Sequence, residues 1–224
     1  MSQTILPPLT PVAGLPVLFV MALDHEYGPA LRSRITPLMT GVGPVEAAVV
    51  LSDALARLAL AGQRPALVVS LGSAGSRALE QGAVFQAVSV SYRDMDATAL
   101  GFGAGLTPFL DQPAQIALPV QVPGLPGARL STGANIVSGD AYDGIDAEMV
   151  DMESYALCRA CQRAGLPMMG LRGISDGAAP LDGLMDWTRY LDVIDHRLAA
   201  ALDLLEAGLA DGRVMLPAPD EAPG

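Results

Sequence analysis

The sequence contains no lysine: all 13 basic residues are arginines, set against 24 aspartates and glutamates. Without a lysine amine there is no Schiff-base or pyridoxal-phosphate chemistry. A Walker-type phosphate loop, which ends in Lys-Ser/Thr, and the strand lysine of a kinase are excluded with it. Positive charge is scarce altogether. The formal net charge is −11 and no run of four basic residues occurs, so no basic stripe is available to displace counterions from a polyanion. Nucleic acid and an anionic membrane surface are therefore not expected as partners. Uninterrupted apolar runs of membrane-spanning length are missing as well. Histidine and cysteine number two each, too few and too scattered for a His/Cys metal site, so no metal and no cofactor is expected. Cys158 and Cys161 have CxxC spacing, but they lie in the helical pattern Ser154–Ala164 with no strand–turn–helix entry, which favours structural cysteines over a redox pair. Aromatics are only 4%, which leaves the core to aliphatic side chains. Met1–Pro16 has no basic start and carries four prolines, unlike a secretory leader, and a cytoplasmic location is expected.

What is present is a chain of 224 residues, 51% hydrophobic, of a size for one domain. Short β-branched runs alternate with longer amphipathic segments. Strands are expected at Val17–Leu23, Ile35–Thr40, Ala66–Leu71, Val84–Tyr92, Ile116–Val122, Asn135–Ser138, Met149–Met152 and Met168–Gly173. Helices are expected at Tyr27–Arg34, from Pro44 to about Ala61, at Ser154–Ala164 and at Asp186–Leu209. Arg93–Pro113, rich in glycine and polar residues, reads as a long functional loop. This alternation implies a single-domain, three-layer α/β/α architecture with a central mixed, mostly parallel sheet. The domain is expected to span 17–212, with an N-terminal extension over 1–16 and a disordered tail over 213–224.

In open α/β sheets, ligands sit at the carboxyl ends of strands. The polar residues there include Asp24, His25 and Glu26, then Gly72–Ser76, Arg93, Ser138, Asp151, Glu153, Arg172, Ser175 and Asp176. Separated carboxylates in one cleft suit acid–base hydrolysis, in which one protonates a leaving group and another activates water. Each also has a plainer use. Asp151, Ser154 and Asp176 suit helix or turn capping, and Gly41-Val42-Gly43 suits a strand–helix turn. Ser73 invites a nucleophile reading, but Gly72-Ser73-Ala74-Gly75 is not the GxSxG elbow.

The order of these segments is more specific than any one of them. MALDHEYGPAL (21–31), TGVGPVEAA (40–48), VSLGSAGS (69–76), SYRDMDATALGFGAG (91–105), IVSGDAY (136–142), VDMESYA (150–156) and RGISDGA (172–178) together resemble the purine nucleoside phosphorylase/nucleosidase superfamily. Within it they are most similar to the 5′-methylthioadenosine/S-adenosylhomocysteine nucleosidases, from about Val17 to Leu209. The resemblance implies a nucleoside phosphorylase-like fold and hydrolysis of the N-glycosidic bond of 5′-methylthioadenosine and/or S-adenosylhomocysteine, a step of methionine salvage. Glu26 would activate water, Glu153 would bind the ribose hydroxyls, and Asp176, beside Ser175, would protonate or hydrogen-bond N7 of the purine. Met152, after Asp151, would pack on the sugar. Tyr142 would stack on adenine, with the Asp143 backbone at the base edge. Ser73 and Arg172 would support the water and Glu26. Phe102 and Pro108 would close the alkylthio pocket across a homodimer interface.

The pattern is not matched everywhere. Glu26 and Gly41 are unusually close in sequence, Asp143 replaces an apolar residue, and Arg93 stands where a histidine is commoner. The phosphorylases place a Gly-Asp-x-x-Arg phosphate site after the first strand, where this chain has Leu23-Asp24-His25-Glu26. A carboxylate there favours water over phosphate. Phosphorolysis, or hydrolysis of another 5′-modified adenosine, stays open at this level. Outside the family, so do a non-catalytic purine-binding module and a serine esterase using Ser73.

Overall fold

The computed structural model describes residues 6–177, 179 and 183–217, with the side chains of Leu184 and Asp186 excepted. In chain order the elements are β1 Thr10–Val12, β2 Leu15–Met21, α1 Pro29–Arg32, β3 Leu38–Met39, α2 Pro44–Leu60, β4 Leu67–Gly75, β5 Val84–Tyr92, β6 Gln115–Ala117, β7 Gly127–Thr132, β8 Met149–Asp151, α3 Ser154–Arg163, β9 Met168–Asp176, α4 Leu184–Thr188 and α5 Leu191–Ala210. Single 3-10 turns lie at Asp24–Glu26, Thr98–Leu100 and Gly139–Gly144.

Alternation along the buried strands explains the layering, because successive side chains of a strand face opposite ways. Val17, Phe19 and Met21 of β2, with Leu67, Val69 and Leu71 of β4, pack under α5 and α1. Leu18, Val20 and Val68 face the other way, against α2 and α3. The result is the expected three-layer α/β/α arrangement. All nine strands join one mixed sheet. Five of its nine pairings are parallel and four antiparallel. Five strands close on themselves: β4 pairs with β9, β9 with β5, β5 with β7, β7 with β8, and β8 with β4 through Gly75 and Val150. Closure leaves these strands without a free edge.

Several sequence expectations are corrected. Asn135–Ser138 is a loop, with Ile136 72% exposed, whereas β7 had not been expected. The strand expected at Ile35–Thr40 shrinks to two residues. β4 and β9 run further than expected, through Gly75 and Asp176, held by a parallel register that continues past a bulge at Ala74/Gly75. The extension over 1–16 supplies β1, paired with β2 from Thr10↔Val17 to Val12↔Leu15. The tail also begins inside the fold: Val214 is buried, and its N–H donates to the Gly208 carbonyl at 2.8 Å. The rest of the expected tail, 218–224, lies outside the described residues. The last helix is two, α4 and α5.

The short connection after β2 is held from the far end of the chain. Buried Asp195 of α5 accepts the N–H groups of Ala30 (2.8 Å) and Leu31 (3.0 Å) at the start of α1. A Cβ on Gly28 would lie 2.5 Å from that carboxylate, so only glycine fits. Among the described residues no helix is long and apolar enough to cross a membrane. Cys158 and Cys161 are buried, unbonded thiols, and burial pushes Cys158 up to about 12.

Candidate active site

The carboxyl ends of β2, β4, β5, β8 and β9 line one cavity of about 600 Å³, a volume typical of small-molecule sites. Glu26 reaches it from the 3-10 turn after β2 and is only 8% exposed. Ser73 of β4 donates to its Oε1 twice, from the backbone N–H at 2.7 Å and the hydroxyl at 2.5 Å. Burial raises the Glu26 pKa above the ordinary carboxylate value, opposed by these two bonds and by the charge of Arg172.

Glu153 enters between β8 and α3. Its Oε1 accepts the Gly43 N–H at 2.8 Å, at the start of the 17-residue helix α2, where the helix dipole favours a carboxylate. Gly43 has φ of +98°, a conformation suited to glycine, and Pro44 opens the helix behind it. The glycine turn of 41–43 thus seats a carboxylate. Burial, then the charge of Asp151, pushes Glu153 up to about 7. Asp176 ends β9, accepts the Ser175 hydroxyl at 2.5 Å, and is raised by burial.

Beneath the cavity sits one buried guanidinium. Arg172 donates to Asp151 Oδ2 from Nε (3.2 Å) and Nη2 (3.1 Å), to the hydroxyls of Ser154 (2.6 Å) and Ser70 (2.8 Å), and to the carbonyls of Ser70 and Leu171. Asp151 also accepts the Thr132 hydroxyl (2.6 Å) and the Ser154 N–H that begins α3 (3.0 Å). Arg172 is therefore the counter-ion for Asp151 and tempers Glu26 and Glu153 through space.

Of the residues singled out in the sequence, Glu26, Ser73, Asp151, Met152, Glu153, Ser175 and Asp176 line the cavity together. Five do not. Arg172 lies behind the wall, bordering a small void with Glu26, Ser73 and Glu153. Tyr142 does not line the cavity itself but is buried against Val137 and Val150, which do. The Asp143 carboxylate is drawn outward to Arg77, at 2.5 Å. Phe102 packs edge-on against Phe109 in the 93–113 loop, and Pro108, in the same loop, does not line the cavity.

Other wall residues carried no assigned role in the sequence. Arg93 is one. It donates to the carbonyls of Ser131 (2.6 Å), Asp151 (3.0 Å) and Asn135 (2.7 Å), knitting the ends of β7 and β8 to the 133–136 turn. Asn135, Ile136, Val137 and Trp187 also line the cavity. Trp187 is the only tryptophan, a signal that its rarity offered but no local pattern explained. Ser73 has no histidine at hand, since His25 and His196 are both exposed, and its hydroxyl is committed to Glu26. That removes the esterase reading. Among the described residues no group of three or more His, Cys, Asp or Glu is arranged to hold a metal ion.

Chemically, the cavity offers three carboxyl groups, Glu26, Glu153 and Asp176, each raised by burial and each differently hydrogen-bonded. Such groups divide acid and base roles.

Comparison with known proteins gives a consistent picture. A family model described as the phosphorylase superfamily matches residues 26–209. The 5′-methylthioadenosine/S-adenosylhomocysteine nucleosidase of Actinobacillus succinogenes is 29% identical over 179 residues, covering 68% of this chain and 75% of that protein. The enzyme of the same name from Baumannia cicadellinicola is 26% identical over 78% of this chain and 82% of its own length. Among solved structures, the nucleosidase of Neisseria meningitidis in complex with methylthio-immucillin-A superposes with a TM-score of 0.70 at 19% identity, covering 85% of this chain and 98% of that one. Futalosine hydrolase of Helicobacter pylori superposes equally well, with a TM-score of 0.70 at 19% identity over 84% of this chain and 96% of that one.

Proposed function

The chain belongs to the phosphorylase superfamily, and from that membership and its carboxylate-lined cavity we propose that it hydrolyses the N-glycosidic bond of 5′-methylthioadenosine and S-adenosylhomocysteine. The products are adenine and the 5-substituted ribose. The observation that carries this reading is Glu26, buried at the cavity wall and gripped by Ser73.

Breaking the C1′–N9 bond leaves positive charge on the sugar and negative charge on adenine. Asp176, held toward its protonated form by burial, gives its proton to the purine and lets it leave neutral. Glu26 takes a proton from the water whose oxygen attacks C1′. Glu153 accepts the ribose hydroxyls, and Met152 packs on the sugar. The ionised carboxylates favour the cationic sugar of the transition state, and each proton transfer contributes typically ~10²–10⁴-fold.

Water is favoured over phosphate by the same geometry. Phosphate at C1′ would face the carboxylates of Glu26 and Glu153. The one guanidinium lining the cavity among the described residues, Arg93, is occupied with backbone carbonyls.

A second copy of the chain is proposed to close the mouth. Val42 and Ile136 line the cavity yet are exposed, Val45 and Val49 are exposed on α2 just after Val42, and Leu100 and Phe109 are exposed in the 93–113 loop. Exposed apolar side chains at the cavity mouth suit an interaction face. It also gives Phe102 and Pro108 a use at the partner's cavity. The two free thiols suit a reducing compartment, and work in the cytoplasm, in methionine salvage, follows from the proposed substrates.

The test is adenine release from 5′-methylthioadenosine, S-adenosylhomocysteine and 5′-deoxyadenosine, each with and without phosphate. Release in phosphate-free buffer is expected. Release that requires phosphate would overturn the hydrolytic reading.

A further inference from the structure

The cavity wall holds an aromatic side chain that the hydrolytic scheme does not use. Trp187 of α4 lines the cavity, and its indole Nε1–H donates to the Ser73 hydroxyl oxygen at 3.0 Å. That same hydroxyl lies 2.5 Å from Glu26 Oε1. A serine hydroxyl has one proton to give and two lone pairs, while an indole N–H can only donate. With Trp187 donating to it, the Ser73 oxygen must act as acceptor on that side. Its single proton is then directed to Glu26.

Resting on the hydrolytic reading of this site, we propose that Trp187 is a positioning residue for the base: it orients the Ser73 hydroxyl so that this hydroxyl stabilises ionised Glu26. Without the indole N–H, the hydroxyl is free to rotate and to accept from Glu26 in its protonated form. The hydroxyl and backbone N–H of Ser73 are the two strongest influences opposing burial at Glu26, so this orientation bears directly on its ionisation. The other charges facing Glu26 include Arg172 from β9, Asp151 from β8 and Glu153 from the turn before α3. Asp151, Glu153, Asp176 and Arg93 share the cavity with Trp187.

Trp187 is also the only tryptophan in the chain, which makes it a reporter on its own interaction. Tryptophan emission is expected to titrate with a midpoint above that of an ordinary carboxylate, and to lose this transition in Glu26→Gln and in Ser73→Ala. A transition that persists unchanged in Glu26→Gln would overturn the proposal, because the indole would then be reporting on Asp151, Glu153 or Asp176.

The catalytic arm uses Trp187→Phe, which keeps an aromatic wall and removes the donor. The acid limb of the kcat/KM profile for adenine release should move up by about half a pH unit, a loss of about threefold on that limb, with little change above it. In a Ser73→Ala background the same substitution should move the limb no further. An unmoved limb in Trp187→Phe, or additive shifts in the two backgrounds, would overturn the proposal. If the wild-type protein releases no adenine from any of the three nucleosides while the emission transition behaves as described, the hydrogen-bond relay stands and the hydrolytic reading falls.

Discussion

Replacing Arg172 with methionine should be far more damaging than replacing its partner Asp151 with asparagine. The asymmetry follows from the charge count around the pair. One guanidinium, 3% exposed at its side chain, faces Asp151 directly and acts at a distance on Glu26 and Glu153. Removing it strips two bonds from Asp151 and one each from the hydroxyls of Ser70 and Ser154. Three carboxylates are then left without a buried cation. Breaking a buried pair from one side costs about 3–5 kcal/mol, and at this chain length each kcal/mol lowers Tm by about 2–4 °C. A fall of roughly 6–20 °C is expected. In Asp151→Asn, Arg172 keeps the hydroxyls of Ser70 and Ser154 and two carbonyls, and Glu26 and Glu153 still compensate its charge, while the one amide oxygen serves either the Thr132 hydroxyl or the Arg172 and Ser154 N–H groups. The cost should be about 1–2 kcal/mol.

The pH dependence sharpens the test. Both glutamates already have folded pKa values above the ordinary 4.5, and Arg172 holds them down. Without it those values rise further. A carboxylate with a raised folded pKa favours the native state at low pH and ceases to do so as pH climbs through that value. The deficit of Arg172→Met, measured by thermal unfolding, should therefore be larger near pH 8 than near pH 5. Equal losses in the two variants, or a deficit that shrinks with rising pH, would refute the reasoning.

Three further expectations are independent of that pair. Asp176→Asn should lose about 10²–10⁴-fold in kcat while calorimetry still detects substrate binding; near-normal turnover would remove Asp176 from the acid role. Wild-type stability should decline between about pH 4.5 and pH 7 through Glu153, which burial and Asp151 push to about 7, and Glu153→Gln should flatten that decline in denaturant titrations; a steeper decline in the variant would contradict the assigned shift. Val45→Glu with Val49→Glu, both exposed on α2, should yield a monomer with impaired adenine release, and a wild-type protein that sediments as a monomer would refute the interface.

What the sequence disclosed and what it withheld divide along a physical line. Features set by neighbouring residues were legible. Pro44 and the apolar spacing behind it mark α2, and the β-branched run of Val84–Tyr92 marks β5 to its ends. β7 escaped because it opens on glycine and carries Arg129, whose charge is satisfied by Asp146 and Glu148 some 17 and 19 residues away. Ile136 is apolar and lies next to a valine, yet it sits exposed at the cavity wall in a loop, and nothing local says so. At the site, the carboxylates came through because their positions follow strand ends. Tyr142 lies one layer behind the wall, buried against the lining residues Val137 and Val150, a placement that its motif position does not specify. The contact of Trp187 with Ser73 joins residues 114 apart and has no trace in either segment alone.

The grip of Asp195 on the start of α1 has a consequence for the order in which this protein matures. The turn that presents Glu26 lies only a few residues before Ala30 and Leu31, whose amides find their acceptors in α5. A nascent chain that has emerged only as far as β9 can have paired β2 with β4 and β4 with β9, and Ser73 can hold Glu26, but the carboxylate that holds the start of α1 is still missing. The full support of the Glu26 turn thus arrives late in synthesis, when α5 docks. The same dependence means that a cut near the start of α5 would loosen the support of a group roughly 165 residues upstream while leaving most of the sheet intact.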